Sequence, residues 1–220
     1  MEINKECFTI FSPDAIQTRK YLTAITWLEE KGFQIKYCFI KQISLDELNQ
    51  LYPHISSKKS YNLVKNLFLS NLSLIVIFEF TQSLTYSHND YCEYLVELKG
   101  KSDPFINDSY CLRNFLNAEN KILNFLHTSD NIQEMIREKS IFFNKKNRYN
   151  MYDRKNASKL FDIININEPF IPTISLIELF RIKLNIDIVH KYLNKISLAS
   201  LKEKYNHLFR FHENDLLNDI

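Results

Sequence analysis

The segment Leu72–Phe80 constrains the fold of this chain more than any other. It has the sequence LSLIVIFEF, with apolar side chains at both odd and even positions. Successive side chains of a β-strand point to opposite faces of the sheet, so a strand of this kind is buried on both faces. The segment therefore predicts a central strand, around which the other elements must be arranged.

The remaining segments predict three further strands and several helices. Apolar or alternating runs indicate strands at 7–11, 33–39 and 121–126. Apolar residues at helical spacing indicate helices at 18–31, 44–52, 61–69, 89–98 and 131–139. The helix at 44 has a capping box, Ser44 with Glu47, and Gly32 is a typical helix stop. Asp14, directly after Pro13, is a candidate cap for the helix that follows. This order predicts an α/β (α+β) protein of the ferredoxin-like βαββαβ layout, a four-stranded antiparallel sheet with helices on one face.

Composition narrows the class of protein. The 220 residues are 45% hydrophobic, enough for the core of one ordinary domain plus an extension. A net charge of +2 gives no indication of a nucleic-acid or membrane surface. The chain has no signal peptide and no apolar run long enough to span a membrane, which predicts a soluble, cytoplasmic protein. The four cysteines are widely spaced, which predicts reduced, buried thiols: Cys7, Cys38, Cys92 and Cys111. Reduced thiols agree with a cytoplasmic location.

The candidate site is centred on His127, which stands where a predicted strand ends and a helix begins. Backbone N–H groups and the helix dipole favour a phosphate at such a position. Glu138 lies along that helix on the side facing back toward the strand. A carboxylate that accepts one imidazole N–H leaves the other ring nitrogen as a nucleophile. The alternative is that His127 has only a structural role. The other histidines show no metal-ligand spacing, so no metal site of the protein's own is predicted.

Several motifs resemble those of the nucleoside diphosphate kinase family, over about residues 6–143. Five residues have the spacing of its active-site signature: Asn124, His127, Ser129, Asp130 and Glu138. Further matches occur in order along the chain, namely Pro13-Asp14-Ala15, Lys31-Gly32-Phe33, Tyr52, 72–79, the Gly-x-Thr-[Asn/Asp]-Pro-like Gly100-Lys101-Ser102-Asp103-Pro104, and Arg113.

The resemblance implies roles for particular residues. Catalytic roles fall on His127, Glu138 and Ser129, and nucleotide-binding roles on Tyr52, Tyr61, Ser102, Arg113 and Asn124. It also implies Mg²⁺ bound together with the nucleotide as the cofactor if the enzyme is active, and no cofactor otherwise.

The sequence departs from the family where the family places phosphate-binding cations. Ser12 stands where the family has a lysine before Pro-Asp, and Val96 and Glu97 stand near the position of a family arginine. Phosphoryl transfer needs positive charge, and loss of one such donor typically costs about 10²–10³ in rate. Three interpretations follow. In the first, His127 is a phosphohistidine nucleophile, with Lys99, Lys101 or Arg113 replacing the missing cations. In the second, the pocket binds nucleotide with little or no turnover. In the third, His127 has no chemical role and the domain docks other proteins.

The segment 144–220 is predicted to be an extension that follows the kinase-like domain at 6–143. It begins with a basic, aromatic connector and continues with an apolar run at 160–166 that fits a short strand or helix, and with helices near 175–184, 189–196 and 200–211. Their apolar stripes need cover from the domain or from a protein partner. By analogy with divergent family members that carry extensions, the leading hypothesis is a docking component of a ciliary or microtubule-based assembly, with weak or no catalysis. No nucleic-acid or membrane partner is expected.

Overall fold

The fold is built on an antiparallel sheet, seen in a computed structural model that describes residues 5–54, 56, 61–82, 90–108, 110–118, 120–143 and 150–168. In this part of the chain the sheet has five strands in the order β4-β1-β3-β2-β5. The strands are β1 Glu6–Phe11, β2 Phe33–Gln42, β3 Leu72–Phe80, β4 Leu126–Thr128 and β5 Tyr152–Asp153. Strand β3 lies at the centre and is buried along most of its length, which confirms the prediction from its sequence.

The helices of the described residues connect and cover these strands. They are α1 Pro13–Gln17, α2 Lys20–Glu30, α3 Leu45–Leu51, α4 Tyr61–Ser70, α5 Tyr91–Lys99, α6 Leu112–Phe115, α7 Ile132–Phe142 and α8 Ala157–Asn167, with a 3₁₀ turn at Pro104–Ile106. None of these helices combines the length and apolar character needed to cross a bilayer. The element order confirms the predicted ferredoxin-type layout, with a fifth strand added.

Local sequence signals explain several element boundaries. Ser44 and Glu47 form the predicted capping box, each side chain binding the other's backbone N–H. Gly32 ends the α2 region with φ +94°, a backbone conformation that favours glycine. The helix predicted at 18–31 begins only at Lys20, because Arg19 takes a left-handed conformation with φ 59° and separates α1 from α2.

Helices cover both faces of the sheet rather than the one face predicted. On β1, Cys7 lies 3.9 Å from Cys92 of α5, measured between the two sulfur atoms. The next residue, Phe8, stacks on Phe142 of α7 with ring centroids 5.5 Å apart. Adjacent residues of a strand face opposite sides, so α5 and α7 lie on opposite faces. All four cysteines are free and buried, as predicted.

Strand β4 is shorter than predicted and begins later. The expected strand at 121–126 is mostly a loop, in which the Asn120 side chain accepts hydrogen bonds from the backbone N–H groups of Ile122 and Leu123. Phe125 has φ 70° and interrupts the extended backbone, so β4 starts at Leu126. His127 is therefore the middle residue of β4, opposite Ile10 of β1, rather than a residue beyond the strand end.

Strand β5 and helix α8 follow the predicted domain boundary and pack on the core. Tyr152 and Asp153 pair with Cys38 and Tyr37 of β2. The run at 160–166 forms part of α8, a helix rather than a strand. On that helix the ring of Phe161 lies edge-on to Tyr21, with centroids 5.6 Å apart. The helices predicted at 175–184, 189–196 and 200–211 lie outside the described residues.

Candidate functional site

One large cavity opens between the end of α3, the end of α5, β4 and α7. It contains most of the side chains that the sequence singled out. Of the predicted residues, those lining it are Tyr52, Ser102, Arg113, Asn124, His127 and Glu138. Ser129 lies beside the cavity, buried against Glu138. Tyr61 lies outside it, with its hydroxyl 3.4 Å from Asn49 Oδ1.

His127 is held by a carboxylate at one ring nitrogen only. Its Nε2 lies 2.8 Å from Glu138 Oε2, and the same oxygen accepts a hydrogen bond from Ser129 Oγ at 2.6 Å. Glu138 accepts from both groups as a carboxylate, so the proton of a neutral imidazole is on Nε2. Nδ1 then carries the free lone pair, and it has no hydrogen-bond partner among the residues the structure describes. This arrangement is that of an oriented nucleophile.

Glu138 stays ionised although it is buried. Burial raises the pKa of this carboxyl, but the hydrogen bonds of His127 and Ser129 and the charge of Arg137 more than offset that effect, so its pKa lies below the usual range. Arg137 donates to Glu138 Oε1 at 3.1 Å and also binds Glu134. Both oxygens of Glu138 are thus engaged, which fixes the carboxylate that orients His127.

The Tyr52 ring contacts the other side of His127. The two rings are edge-to-face, with centroids 5.1 Å apart, and Tyr52 in turn contacts Phe68. Burial raises the pKa of the Tyr52 phenol, so it stays protonated at neutral pH. The imidazole is therefore confined between an aromatic ring and a carboxylate.

The backbone that leads into β4 is held by two buried charged side chains. Phe125, with its left-handed φ, donates its N–H to Asp14 Oδ2 at 3.0 Å. Arg113 donates to the carbonyls on either side of that residue, to Asn124 at 3.3 Å through Nε and to Leu126 at 2.7 Å through Nη2. A left-handed residue with a side chain costs about 1–2 kcal/mol, and these bonds offset that cost. His127 lies two residues further along the chain, so Asp14 and Arg113 fix its position in β4.

Arg113 is tied to backbone carbonyls at all three donor positions that the structure records. Its third bond, from Nη1, goes to the carbonyl of Gly100 at 2.8 Å. Gly100 has φ +83°, and an added Cβ would lie 2.5 Å from the sulfur of Cys111, so glycine is required there. Burial lowers the pKa of Arg113 to about 10, so the guanidinium remains charged at neutral pH. Arg113, which the sequence predicted to bind phosphate, therefore links the loop at Gly100 to the loop before β4.

Asp14 is a buried carboxyl whose role the sequence did not predict. The sequence suggested a helix cap, but Asp14 reaches across to the loop before β4 instead. It is completely buried, and this burial raises its pKa to about 6. Its other oxygen, Oδ1, has no hydrogen-bond partner within the described residues.

The side of the cavity formed by α1 and α5 has a different character. Ser12 is buried, and its side chain helps to lower the pKa of the neighbouring Asp14 carboxyl. Val96 and Lys99 lie one helical turn apart on α5, and both line the cavity. Lys99 is 6% exposed, and burial lowers its pKa to about 8.

The remaining predicted residues lie at the rim. Ser102 is exposed and lines the cavity mouth. The Asn124 side chain donates to the carbonyl of Lys121 at 2.9 Å and also lines the cavity. No cluster of three or more His, Cys, Asp or Glu side chains that could hold a metal ion occurs within the described ranges.

The roles of two residues of the site had no signal in the sequence. Arg137 precedes Glu138 on an ordinary charged helix, and only packing shows that it binds the second oxygen of that carboxylate. Asp14 looked like a cap because of its place after Pro13. Its real partner, the N–H of Phe125, is more than a hundred residues away along the chain.

Comparisons with known proteins identify the family and the fold. The family model described as "Nucleoside diphosphate kinase" matches residues 5–148. A search of curated proteins found no match. Among solved structures, the chain is similar to the apo nucleoside diphosphate kinase of Encephalitozoon cuniculi, with a TM-score of 0.55 and 17% identity, over 71% of this chain and 99% of that one. It is also similar to the nucleoside diphosphate kinase of Aquifex aeolicus, with a TM-score of 0.54 and 16% identity, over 64% of this chain and 96% of that one.

The family match covers well over half of the chain. The chain therefore belongs to the nucleoside diphosphate kinase family. At 16–17% identity, the similarity to the two solved structures shows a shared fold and nothing further.

Proposed function

We propose that this protein is a nucleoside diphosphate kinase that carries the transferred phosphoryl group on Nδ1 of His127. The observation that supports this best is the state of the imidazole. Nε2 is bound to Glu138 at 2.8 Å, while Nδ1 has no partner among the described residues and the ring lines the cavity. Orientation of this kind is what a nucleophilic histidine requires.

The reaction has two displacement steps. In the first, the Nδ1 lone pair attacks the γ-phosphorus of a nucleoside triphosphate, an N–P bond forms, and the bond to the β–γ bridging oxygen breaks. The nucleoside diphosphate leaves, and positive charge develops on the ring. Glu138 stabilises that charge through Nε2–H. In the second step, a terminal phosphate oxygen of another nucleoside diphosphate attacks the same phosphorus, the N–P bond breaks, and neutral His127 is restored.

Several lining side chains are available to the nucleotide. Ser102 and Asn124 present polar groups at the rim, and Arg113 contributes its charge to the cavity although its recorded bonds go to carbonyls. Mg²⁺ enters with the phosphates of the triphosphate, as part of the substrate complex. Tyr61 lies outside the cavity, so we assign it no contact with the base.

The test is covalent labelling with γ-labelled ATP and Mg²⁺. The wild-type chain should acquire acid-labile label that chases onto an added nucleoside diphosphate, and His127→Ala should acquire none. His54→Ala is the matched control, because His54 also lines the cavity but lies at its exposed rim, and it should label like the wild type. Absence of label on the wild type would overturn the proposal.

A second candidate function is docking through the part of the chain that follows residue 143. The observation in its favour is on α8, where Ile163 and Ile166 are 39% and 82% exposed. Exposed apolar side chains on one helix offer a surface for a protein partner. The partner suggested by analogy is a cilium or another microtubule-based assembly in the cytoplasm. Co-sedimentation with microtubules should be lost in the full chain carrying Ile163→Asp and Ile166→Asp, and equal sedimentation of this variant and the wild type would contradict the idea.

A further inference from the structure

Lys99 is a largely buried cation for which the described residues supply no partner. It ends α5, lines the cavity together with Ser12 and His127, and is 6% exposed. Within the described ranges its ammonium makes no hydrogen bond and no ion pair. Burial of an ammonium without a partner is unfavourable, so proteins seldom keep one unless an anion binds there.

Lys99 lines the same cavity as His127, and charged groups near His127 act on the pKa of Lys99. Burial is the main cause of its lowered pKa, and the charge of Arg113 lowers it further. Asp130 and Glu138 act in the opposite direction. Glu138 is also the carboxylate that binds His127, so Lys99 is close enough to the nucleophile to respond to the same charge.

Other cationic side chains of the cavity wall are already occupied or hydrated. Arg113 donates to three carbonyls. Arg137 binds Glu134 and Glu138, and Lys121 pairs with Asp103 at 3.2 Å. Lys101 is exposed to solvent. Among these five, only Lys99 combines burial with a charge that pairs with no group of the described residues.

We propose that Lys99 binds the terminal phosphate of the nucleotide beside His127, and so replaces the cation that the family carries at the position of Ser12. The proposal rests on the proposed kinase function. In the first step it places a positive charge against the γ-phosphoryl oxygens while the N–P bond forms. In the second step it holds the phosphohistidine for the incoming diphosphate.

The test compares three full-length variants in the labelling assay. Lys99→Met removes the charge and keeps a side chain of similar size. Lys99→Arg keeps the charge, and Lys155→Met is the matched control, because that lysine is exposed and does not line the cavity. We expect labelling of Lys99→Met to be about 10²-fold slower than wild type, Lys99→Arg to recover most of this loss, and Lys155→Met to behave as wild type.

A direct binding measurement separates this inference from the proposed function. Calorimetry with inorganic tripolyphosphate should show at least tenfold weaker binding to Lys99→Met than to wild type, and near wild-type binding to Lys99→Arg. If the wild type is labelled and Lys99→Met is labelled equally fast, the assignment of Lys99 is wrong and the kinase function stands. If no variant is labelled, the kinase function fails, and the calorimetry alone decides Lys99: equal binding by wild type and Lys99→Met overturns it. Matching denaturation curves of the variants check that each one folds.

Discussion

The two sides of the cavity are built in different ways. On the side of β4 and α7, His127, Glu138 and Ser129 are joined by hydrogen bonds of 2.6–2.8 Å, and Arg137 binds the remaining carboxylate oxygen. On the side of α1 and α5, Lys99 is 6% exposed and makes no hydrogen bond or ion pair with the described residues. The first side is thus held together by hydrogen bonds within the protein, whereas the Lys99 charge on the second side has no partner in the described part of the chain.

The difference fits the proposed kinase function, which makes different demands on the two sides. A nucleophile needs one ring orientation, so its neighbours must be held at fixed hydrogen-bonding distances. A phosphate needs positive charge nearby, and a charge acts over distance with little regard to the element that supplies it. The nucleophile side therefore keeps the family's spacing, while the phosphate side tolerates Ser12 if another cation lies within reach.

The largest effect on the nucleophile side is expected for Glu138→Gln. Glutamine still offers an oxygen to His127, but it lacks the negative charge that stabilises the ring as it attacks phosphorus. Labelling by γ-labelled ATP should slow by about 10²-fold, a loss similar to that of Lys99→Met. Glu79→Gln, on β3 and paired with Lys36, is the control and should label normally. If Glu138→Gln is labelled as fast as the wild type, the charge of Glu138 contributes less to the reaction than its position suggests.

An intermediate effect is expected for Asp14→Asn, measured as the pH dependence of unfolding. The pKa of Asp14 is raised from 3.8 in the unfolded chain to about 6 in the folded one, so the folded state holds the proton more tightly. This contribution to stability is present below about pH 4 and is lost as the pH rises through 6. The loss amounts to about 3 kcal/mol at most.

Asparagine keeps an oxygen for the N–H of Phe125 and removes this titration. The difference in unfolding free energy between wild type and Asp14→Asn should therefore move by about 2–3 kcal/mol against the wild type between pH 4 and pH 7. Urea unfolding at both pH values measures it. Titration of other carboxyls, such as Glu6 and Glu47, occurs in both proteins and cancels in the difference. A difference that does not change with pH would show that Asp14 does not titrate in this range.

The smallest effect is expected for Ser129→Ala. The substitution removes one hydrogen bond to Glu138 and leaves in place the bond that His127 donates to Glu138. A loss of about 1 kcal/mol corresponds to roughly fivefold slower labelling. Ser140→Ala, which removes a hydroxyl bonded only to a helix carbonyl, is the control. A loss as large as that of Glu138→Gln would place Ser129 in a more direct role than the orientation of a carboxylate.

Sequence alone predicted those features that depend on short-range patterns. The apolar run at Leu72–Phe80, the capping box at Ser44 and the spacing of His127 and Glu138 all have local causes, and each was found where the pattern placed it. The start of β4 has a tertiary cause. Asp14 and Arg113 come from distant parts of the chain and hold Phe125 in a conformation that no local pattern indicates.

The cation on the α1 and α5 side of the cavity also could not be identified from local sequence patterns. The sequence offered Lys99, Lys101 and Arg113 as candidates for the missing cation. Only packing separates them, because Lys101 is exposed, Arg113 is occupied by carbonyls, and Lys99 is buried without a partner among the described residues. Strand β5 was missed for a related reason, since two residues carry no recognisable period and their partner strand is remote in sequence.

The pairing of β5 with β2 also has a consequence for the order of folding. Strands β1, β3 and β2 pair over long registers, whereas β5 pairs with β2 through two residues whose partners are far away along the chain. Closing so long a loop for so few hydrogen bonds is entropically unfavourable until the rest of the sheet exists. The β5 pairing therefore forms after the core and opens before it. During synthesis, Tyr37 and Cys38 of β2 stay unpaired on this edge until residue 153 has emerged, and in that interval a second chain can reach them.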